Sequence, residues 1–313
     1  MTRGPFQSLR VVGVGHAYEG FEALKDVSFE VSPGKSYAIL GPNGSGKTTL
    51  FHILTTAMAP SHGRIEWNGQ ELRHVLTQAR GAMGVVFQVP SLDRKLTVIE
   101  NLRAQGGLFG IPKKVLEERI REALHHFSIE DRSAHLVETL SGGLARRVEI
   151  AKSLLHDPAI LFMDEPSSSL DPVARIELRS IVSDLVSRGK TVVLTTHLLD
   201  EADACDENLI LHEGKLVAMG SPKALKGAID RKIVFIRSKT LEALRGQLVE
   251  AYGVSPERVE GGLRLEVPAS SDFARAVIQS HGASIEEMTY RSPTLEDVFI
   301  HYAKAGFNEG AKR

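Results

Sequence analysis

A single cysteine, Cys205, stands in the 313 residues, so no internal disulfide is available. That usage suits a reducing compartment, and Cys205 itself reads as a small buried hydrophobe rather than a nucleophile. Long apolar runs are missing too. The longest, such as AILFM and TVVL, have strand length and fall far short of the ~20 residues that a membrane-spanning helix needs. The opening MTRGPFQSL has no apolar centre of the kind a signal peptide carries. The expectation is a cytoplasmic chain whose membrane work, if any, belongs to a partner. Neither charge sign is in excess, with 38 Lys and Arg against 39 Asp and Glu, which argues against a globally basic nucleic-acid binder. No His/Cys cluster has zinc spacing, and there are no repeats or low-complexity tracts. What remains is a globular composition, 42% hydrophobic and 25% charged, able to bury a real core. The length suggests two domains.

Against that background one stretch dominates, GPNGSGKTT at residues 41–49. It fits G-x-x-x-x-G-K-[ST] through Gly41, Gly46, Lys47 and Thr48. The buried-strand pattern Tyr37-Ala38-Ile39-Leu40 precedes it, and TLFHILTTAM follows with Leu50, Ile53, Leu54 and Ala57 at helical spacing. Strand, glycine loop and helix together make a phosphate site. Glycines let successive backbone N–H groups turn towards one anion, and the helix N-terminus adds partial positive charge. Lys47 brings a mobile cation to the β- and γ-phosphates, and the Thr48 hydroxyl is a hard oxygen for Mg²⁺. A nucleoside triphosphate is the expected ligand.

Taken in order, LRVV near 9–12 and VSFEV at 27–31 read as strands, with HAYEGFEAL between them and Tyr18 exposed. RIEWNG is a strand ending in the Asn68-Gly69 turn, and GVVF is a buried strand ending at Gln88. From about 89 to 158 the pattern turns helical. Thr97 to Glu100 spells a capping box, and KKVLEERIREALHHF puts Val115, Leu116, Ile120, Leu124 and Phe127 on one side. LSGGLARRVEIAKSLL opens with a Ser-Gly-Gly turn and continues as a helix. The α/β pattern then resumes: AILFMDEP ends in two acids, RIELRSIVSDLVSRG is a helix, TVVLTTH ends at His197, and LILHEGKLVAMG is a hairpin. Alternating strands and helices imply a mainly parallel, doubly wound sheet with ligands at the strand C-termini. Gln88, Asp164, Glu165 and His197 all stand at such ends. On a strand, the adjacent acids Asp164 and Glu165 point to opposite faces and take different roles.

A second unit is expected after about Asp230. KIVFIRS, TLEALRGQLVEAYG, ERVE-GG-LRLEV, SSDFARAVIQSHG and SIEEMTY follow in the order βαββαβ of a ferredoxin-like fold. A last helix, TLEDVFIHYAKA, carries Leu295, Val298, Phe299 and Tyr302 on one face, with Thr294 placed to cap it. GFNEGAKR reads as a frayed end.

With these pieces placed, residues from about 9 to 225 closely resemble the nucleotide-binding subunits of ATP-binding cassette (ABC) transporters, on six motifs in the family's order. The most specific is LSGG, Leu140 with Ser141, Gly142 and Gly143, placed shortly before ILFMDE. The resemblance implies an α/β P-loop NTPase cassette over 1–230, with a helical subdomain at about 89–158, followed by the small α+β ferredoxin-like domain at 231–313. It implies ATP and Mg²⁺ as cofactors. Tyr18 would stack on adenine, and Gly41, Pro42, Asn43, Gly44, Ser45, Gly46, Lys47, Thr48 and Thr49 would hold the phosphates. Thr48, Gln88 and Asp164 would serve the metal, Glu165 would be the general base, and His197 would contact the γ-phosphate. Ser141, Gly142 and Gly143 would close on nucleotide held by a second protomer, and Asp171 would link the two sites. Leu144 stands where many members have glutamine.

One copy of each motif implies a head-to-tail homodimer. SPTLEDVF at residues 292–299 looks like the ending of cassettes from bacterial drug, polysaccharide and lipid exporters, the daunorubicin-resistance type included. The expected protein is therefore the ATP-hydrolysing subunit of an exporter, peripheral at the inner face of the membrane beneath separate permease subunits, with no nucleic-acid partner. The alternative is a soluble ABC ATPase acting on ribosomes or DNA. Such proteins usually carry two cassettes or a long coiled coil in the helical insert, and neither stands in this sequence. A non-catalytic binding module is opposed by the intact Lys47, Asp164, Glu165 and His197.

Overall fold

The computed structural model describes residues 6–270 and 272–310, with side chains to Tyr302. The first five residues of the segment read for a signal, and the last three of the tail read as frayed, lie outside the described residues. The chain divides into two units, 1–221 and 222–313.

The first unit opens with a hairpin, β1 (Leu9–Tyr18) and β2 (Phe21–Val31). Then come β3 (Ser36–Leu40), the phosphate loop and α1 (Lys47–Leu54). Next are β4 (His62–Trp67), β5 (Gln70–Glu71), α2 (Leu76–Ala82) and β6 (Met83–Val86). The helical stretch holds α3 (Val98–Leu108), α4 (Lys113–His126) and α5 (Gly142–Leu154). The α/β pattern returns with β7 (Ile160–Asp164), α6 (Pro172–Ser187), β8 (Thr191–Thr196), α7 (Leu199–Asp203), β9 (Glu207–His212) and β10 (Lys215–Gly220).

Six strands form the central sheet in the order β10-β9-β3-β8-β7-β6, and β2-β1-β4-β5 form an antiparallel one. In the central sheet only the β9–β10 hairpin is antiparallel. Its turn residues Glu213 and Gly214 have φ of 47° and 79°, the left-handed pair that a two-residue hairpin turn requires. Every residue of β3, β7 and β8 is buried, as expected of parallel strands covered on both faces. Tyr37, Ile39, Leu50, Phe51, Ile53, Phe162 and Val193 meet in the core between sheet and α1. Each such side chain contributes roughly 1.5–3 kcal/mol by burial. Thr97 and Glu100 cap α3 reciprocally, as the sequence predicts. Cys205 is buried, and burial pushes its thiol up to about 12, so it stays an inert apolar filler.

Two expectations need correction in this unit, and one at the end of the chain. HAYEGFEAL is not a break between two short strands. Both strands run through it and turn at Glu19-Gly20, an extent that irregularities along β1 hide from simple alternation. Gly15 is crowded there, since a Cβ would lie 2.0 Å from the His62 ring unless that exposed side chain moved. On α4 the buried face is Leu116, Ile120 and Leu124, whereas Val115 faces outward. At the chain's end the helix runs on to Gly310, so the expected fraying does not begin at residue 306.

The second unit comprises α8 (Pro222–Ala228), β11 (Arg231–Ser238), α9 (Leu241–Tyr252), β12 (Glu257–Val259), β13 (Gly262–Pro268), α10 (Phe273–His281), β14 (Ile285–Arg291) and α11 (Leu295–Gly310). Its sheet is wholly antiparallel, in the order β12-β13-β11-β14. The boundary after Ser221 falls earlier than the one read after Asp230, because α8 packs with α11. The core is its own: Val234, Ile236, Leu244, Leu248, Leu263, Leu265, Val267 and Phe273. Asp297 explains part of the SPTLEDVF motif. Its buried carboxylate accepts from the Thr294 N–H and hydroxyl (both 2.8 Å), from Arg264 (3.0 Å) and from Arg291, completing a capping box that fixes the start of α11.

Candidate functional site

β3 delivers the chain into the phosphate loop, and the loop's glycines answer specific crowding. A Cβ on Gly41 would sit 2.4 Å from the Leu211 carbonyl oxygen. Gly46, at φ 101°, would bring one 2.6 Å from the Ala23 carbonyl oxygen. The Ser45 N–H closes the loop on the Pro42 carbonyl at 3.2 Å, and the Leu50 N–H starts the helix on Gly46 at 2.9 Å. Pro42, Asn43, Gly44 and Thr48 are exposed. Lys47 is buried and donates to the Gly41 and Pro42 carbonyls at 2.9 and 3.0 Å. The Ser45 hydroxyl is buried without a hydrogen-bond partner. A buried idle hydroxyl, a caged ammonium and an open first helical turn fit a polyphosphate.

The acids meet this loop from β7. Asp164 lies level with Thr195 of β8, whose hydroxyl donates to Oδ1 of Asp164. Burial raises the Asp164 carboxyl above its ordinary value, the Thr195 hydrogen bond opposes that, and neighbouring Glu165 adds to the rise. A nearby divalent cation would reverse this pressure, and the Asp164 carboxylate is a donor of the hard-oxygen kind, as is the exposed Thr48 hydroxyl.

Glu165 has left the strand. Its φ is 41°, so alternation across the sheet does not decide where it points, and the expectation of opposite strand faces is replaced by a left-handed step. Such a step in a non-glycine residue is strained and needs outside support. The Glu165 N–H donates to the same Thr195 hydroxyl at 2.9 Å. The carboxylate then lies between two side chains, with Oε1 3.4 Å from Lys47 Nζ and Oε2 3.4 Å from His197 Nδ1. The Gly41 N–H donates to the Thr196 carbonyl at 3.4 Å, tying the loop to the strand that carries His197.

Two further predicted residues flank this centre. Gln88 is exposed just past β6, whose register with β7 brings it to the same end of the sheet. Tyr18 is half-exposed at the tip of the first hairpin, with its hydroxyl 3.4 Å from Thr49 Oγ1 and its ring edge-on to His16 at 4.8 Å. Phe21 pairs with it across the turn and is the more exposed of the two.

The remaining residues gather elsewhere. Ser141 caps α5, its Oγ accepting from the Leu144 N–H at 3.3 Å. The nearest atom to a Cβ on Gly142 is the Ser169 carbonyl oxygen (3.8 Å), and on Gly143 the Ala174 Cβ (3.2 Å). Asp171 caps α6 by accepting from the Ala174 N–H at 2.9 Å. Among the described residues, Ser141, Gly142 and Gly143 make no hydrogen bond to the phosphate loop. The fold therefore brings Lys47, Asp164, Glu165 and His197 together, and sets the Ser-Gly-Gly turn beside Asp171. Sequence reasoning passed over Thr195, which holds both acids; its only signal was a polar pair, Thr195-Thr196, closing an apolar strand. It also passed over the buried Arg146–Glu149 pair on α5.

The family model described as ABC transporter matches residues 24–168. A Nod factor export ATP-binding protein I from Cupriavidus pinatubonensis is 35% identical, over 88% of this chain and 85% of the relative. This chain belongs to the ABC transporter ATP-binding family. A daunorubicin resistance ATP-binding protein from Streptomyces coeruleorubidus is 34% identical over 94% of this chain and 95% of its own length. Among solved structures, a dimeric ATP-binding cassette in a post-hydrolysis state, bound to ADP and Pi, aligns with a TM-score of 0.62 at 27% identity. It covers 68% of this chain and 98% of that one. The protein is an ABC ATPase, and its α/β first unit is the ABC cassette. No described helix is long and apolar enough to cross a membrane.

Proposed function

We propose that this ABC ATPase drives an exporter as a head-to-tail homodimer, docked beneath separately encoded membrane subunits at the inner face of the membrane. The export names of its relatives and the ending at residues 292–299 support the direction. The observation that carries the composite-site reading is the split geometry. Glu165 lies 3.4 Å from both Lys47 and His197, whereas Ser141, Gly142 and Gly143 adjoin Ser169 and Ala174. A second anion nest at a helix N-terminus, with no hydrogen bond to its own phosphate loop among the described residues, fits the γ-phosphate held by another copy.

In this reading Tyr18 stacks on the adenine, and the residues from Gly41 to Thr49 hold the triphosphate. Lys47 exchanges its loop carbonyls for phosphate oxygens. Thr48, Asp164 and Gln88 would hold Mg²⁺, which supplies charge neutralisation at the phosphates. Glu165, freed from Lys47, orients the attacking water and takes its proton, and His197 donates to the γ-phosphate. Asp171 passes the state of one site to the other. The second unit, a ferredoxin-like domain, acts on dimer stability without touching nucleotide.

The decisive variant is Glu165→Gln. It keeps every phosphate contact and loses the base, so turnover falls by roughly 10²–10⁴. ATP should then trap a dimer visible by size-exclusion chromatography. Near-normal hydrolysis by this variant removes Glu165 from the role.

A further inference from the structure

α5 starts at the Ser141 cap and carries a buried ion pair one turn further on. The Arg146 and Glu149 side chains are only 5% and 2% exposed and meet at 2.9 Å. Their remaining bonds all go to one loop. Nη1 of Arg146 donates to the Phe87 carbonyl at 3.0 Å, and Nη2 donates to the Gln88 carbonyl at 3.4 Å. The other oxygen of Glu149 accepts from the Ser91 N–H at 2.6 Å. Three residues further along α5, Lys152 donates to the Ser91 carbonyl at 2.7 Å and its hydroxyl at 3.0 Å. The main chain of 87–91 is thus gripped from α5 while the Gln88 side chain stays exposed. On its other side, the Phe87 ring meets Phe51 of α1 edge-on at 5.9 Å.

Stability alone does not call for this arrangement. A buried ion pair is costly to desolvate, and apolar residues of similar volume often fill such a place as well or better. What apolar residues lack is a rigid planar fork able to hold two consecutive carbonyls and a carboxylate at once. We infer that Arg146 and Glu149 are positioning residues for ATP hydrolysis, which make the Gln88 loop move as one piece with α5. The seating of the Ser141 turn on a partner's nucleotide then sets where Gln88 stands in the protomer's own site. The inference rests on the roles proposed above for Gln88 and Ser141. Neither Arg146 nor Glu149 touches nucleotide in it.

The test uses the full chain in three forms: Gln88→Ala, the double variant Arg146→Met with Glu149→Leu, and all three changes together. Melting temperature, affinity for a fluorescent ATP analogue and kcat are measured for each. The double variant should melt close to the wild type and bind the analogue normally, yet lose kcat about 10–100-fold, the range that a small misplacement of a reacting group commands. Adding Gln88→Ala should cost nothing further, because both changes disable the same element. Wild-type kcat in a folded double variant, or losses that multiply in the triple variant, overturns the inference. Wild-type kcat in Gln88→Ala overturns instead the role of Gln88 on which it rests. Should the double variant not fold, Arg146→Lys decides. A single ammonium cannot replace the fork, so kcat falls with analogue affinity intact, and an unchanged kcat refutes the clamp.

Discussion

Thr195→Val tests how the acidic end of the site is held. The Thr195 hydroxyl donates to Oδ1 of Asp164 and accepts from the Glu165 N–H at 2.9 Å. Valine keeps the shape and removes both bonds. A hydrogen bond to a charged group contributes about 1.5–3 kcal/mol, and an orphaned buried N–H costs about 1–3, so the loss should reach roughly 3–5 kcal/mol. Thr195→Ser, which keeps the hydroxyl, forfeits only about 0.8 kcal/mol of methyl burial.

The chain's one tryptophan, Trp67, is buried in the first unit, so its fluorescence follows that unit alone during urea unfolding. With a slope near 3 kcal/mol per molar, valine should lower the midpoint by roughly 1 M or more. The gap between variant and wild type should also widen with pH. Burial already lifts Asp164 above its ordinary 3.8, so charging it costs native stability. That cost is absent below 3.8 and complete above the folded value; losing the hydroxyl enlarges it. If valine and serine unfold at the same urea concentration near neutral pH, Thr195 does not hold the acids in the way described.

Lys47→Ala should lose nucleotide binding, while Ser141→Arg keeps it and loses hydrolysis; equal affinity defects in a titration would end the cross-protomer assignment of Ser141. In the second unit, burial alone would raise Asp297, but hydrogen bonds from Arg291, Thr294 and Arg264 outweigh it and bring the carboxyl to about 2. Its pKa is depressed on folding, so it contributes roughly 2 kcal/mol that is present above pH 3.8 and fades as pH falls towards 2. Asp297→Asn should abolish that part of the acid dependence in a pH series of unfolding curves. A chain ended after Ser221 should bind ATP nearly normally, with altered hydrolysis or dimer lifetime; loss of ATP binding in a folded product would place the second unit in the site.

Much of this protein was legible without coordinates, because the informative features are local. A glycine loop between a buried strand and a helix announces itself by spacing, as do the apolar runs closing on Asp164 and His197 and the LSGG turn opening α5. The turns Asn68-Gly69 and Glu213-Gly214, and the caps at Thr97 and Thr294, were readable because a backbone that turns or starts a helix demands particular residues at fixed offsets. The first hairpin was only half legible, since glycines and bulges blur its alternation and the ring that crowds Gly15 comes from another strand. Relations between distant segments were not written locally at all. That Thr195 would hold both Asp164 and Glu165 depends on β7 and β8 being neighbours in register. The left-handed turn at Glu165, which overrides strand alternation, is strain that only the surrounding contacts maintain. Nothing in the local sequence singles out Arg146 and Glu149 within the helix that follows LSGG. They became a buried clamp because folding laid the Gln88 loop across α5, and a residue's environment is decided by whatever the rest of the chain packs against it.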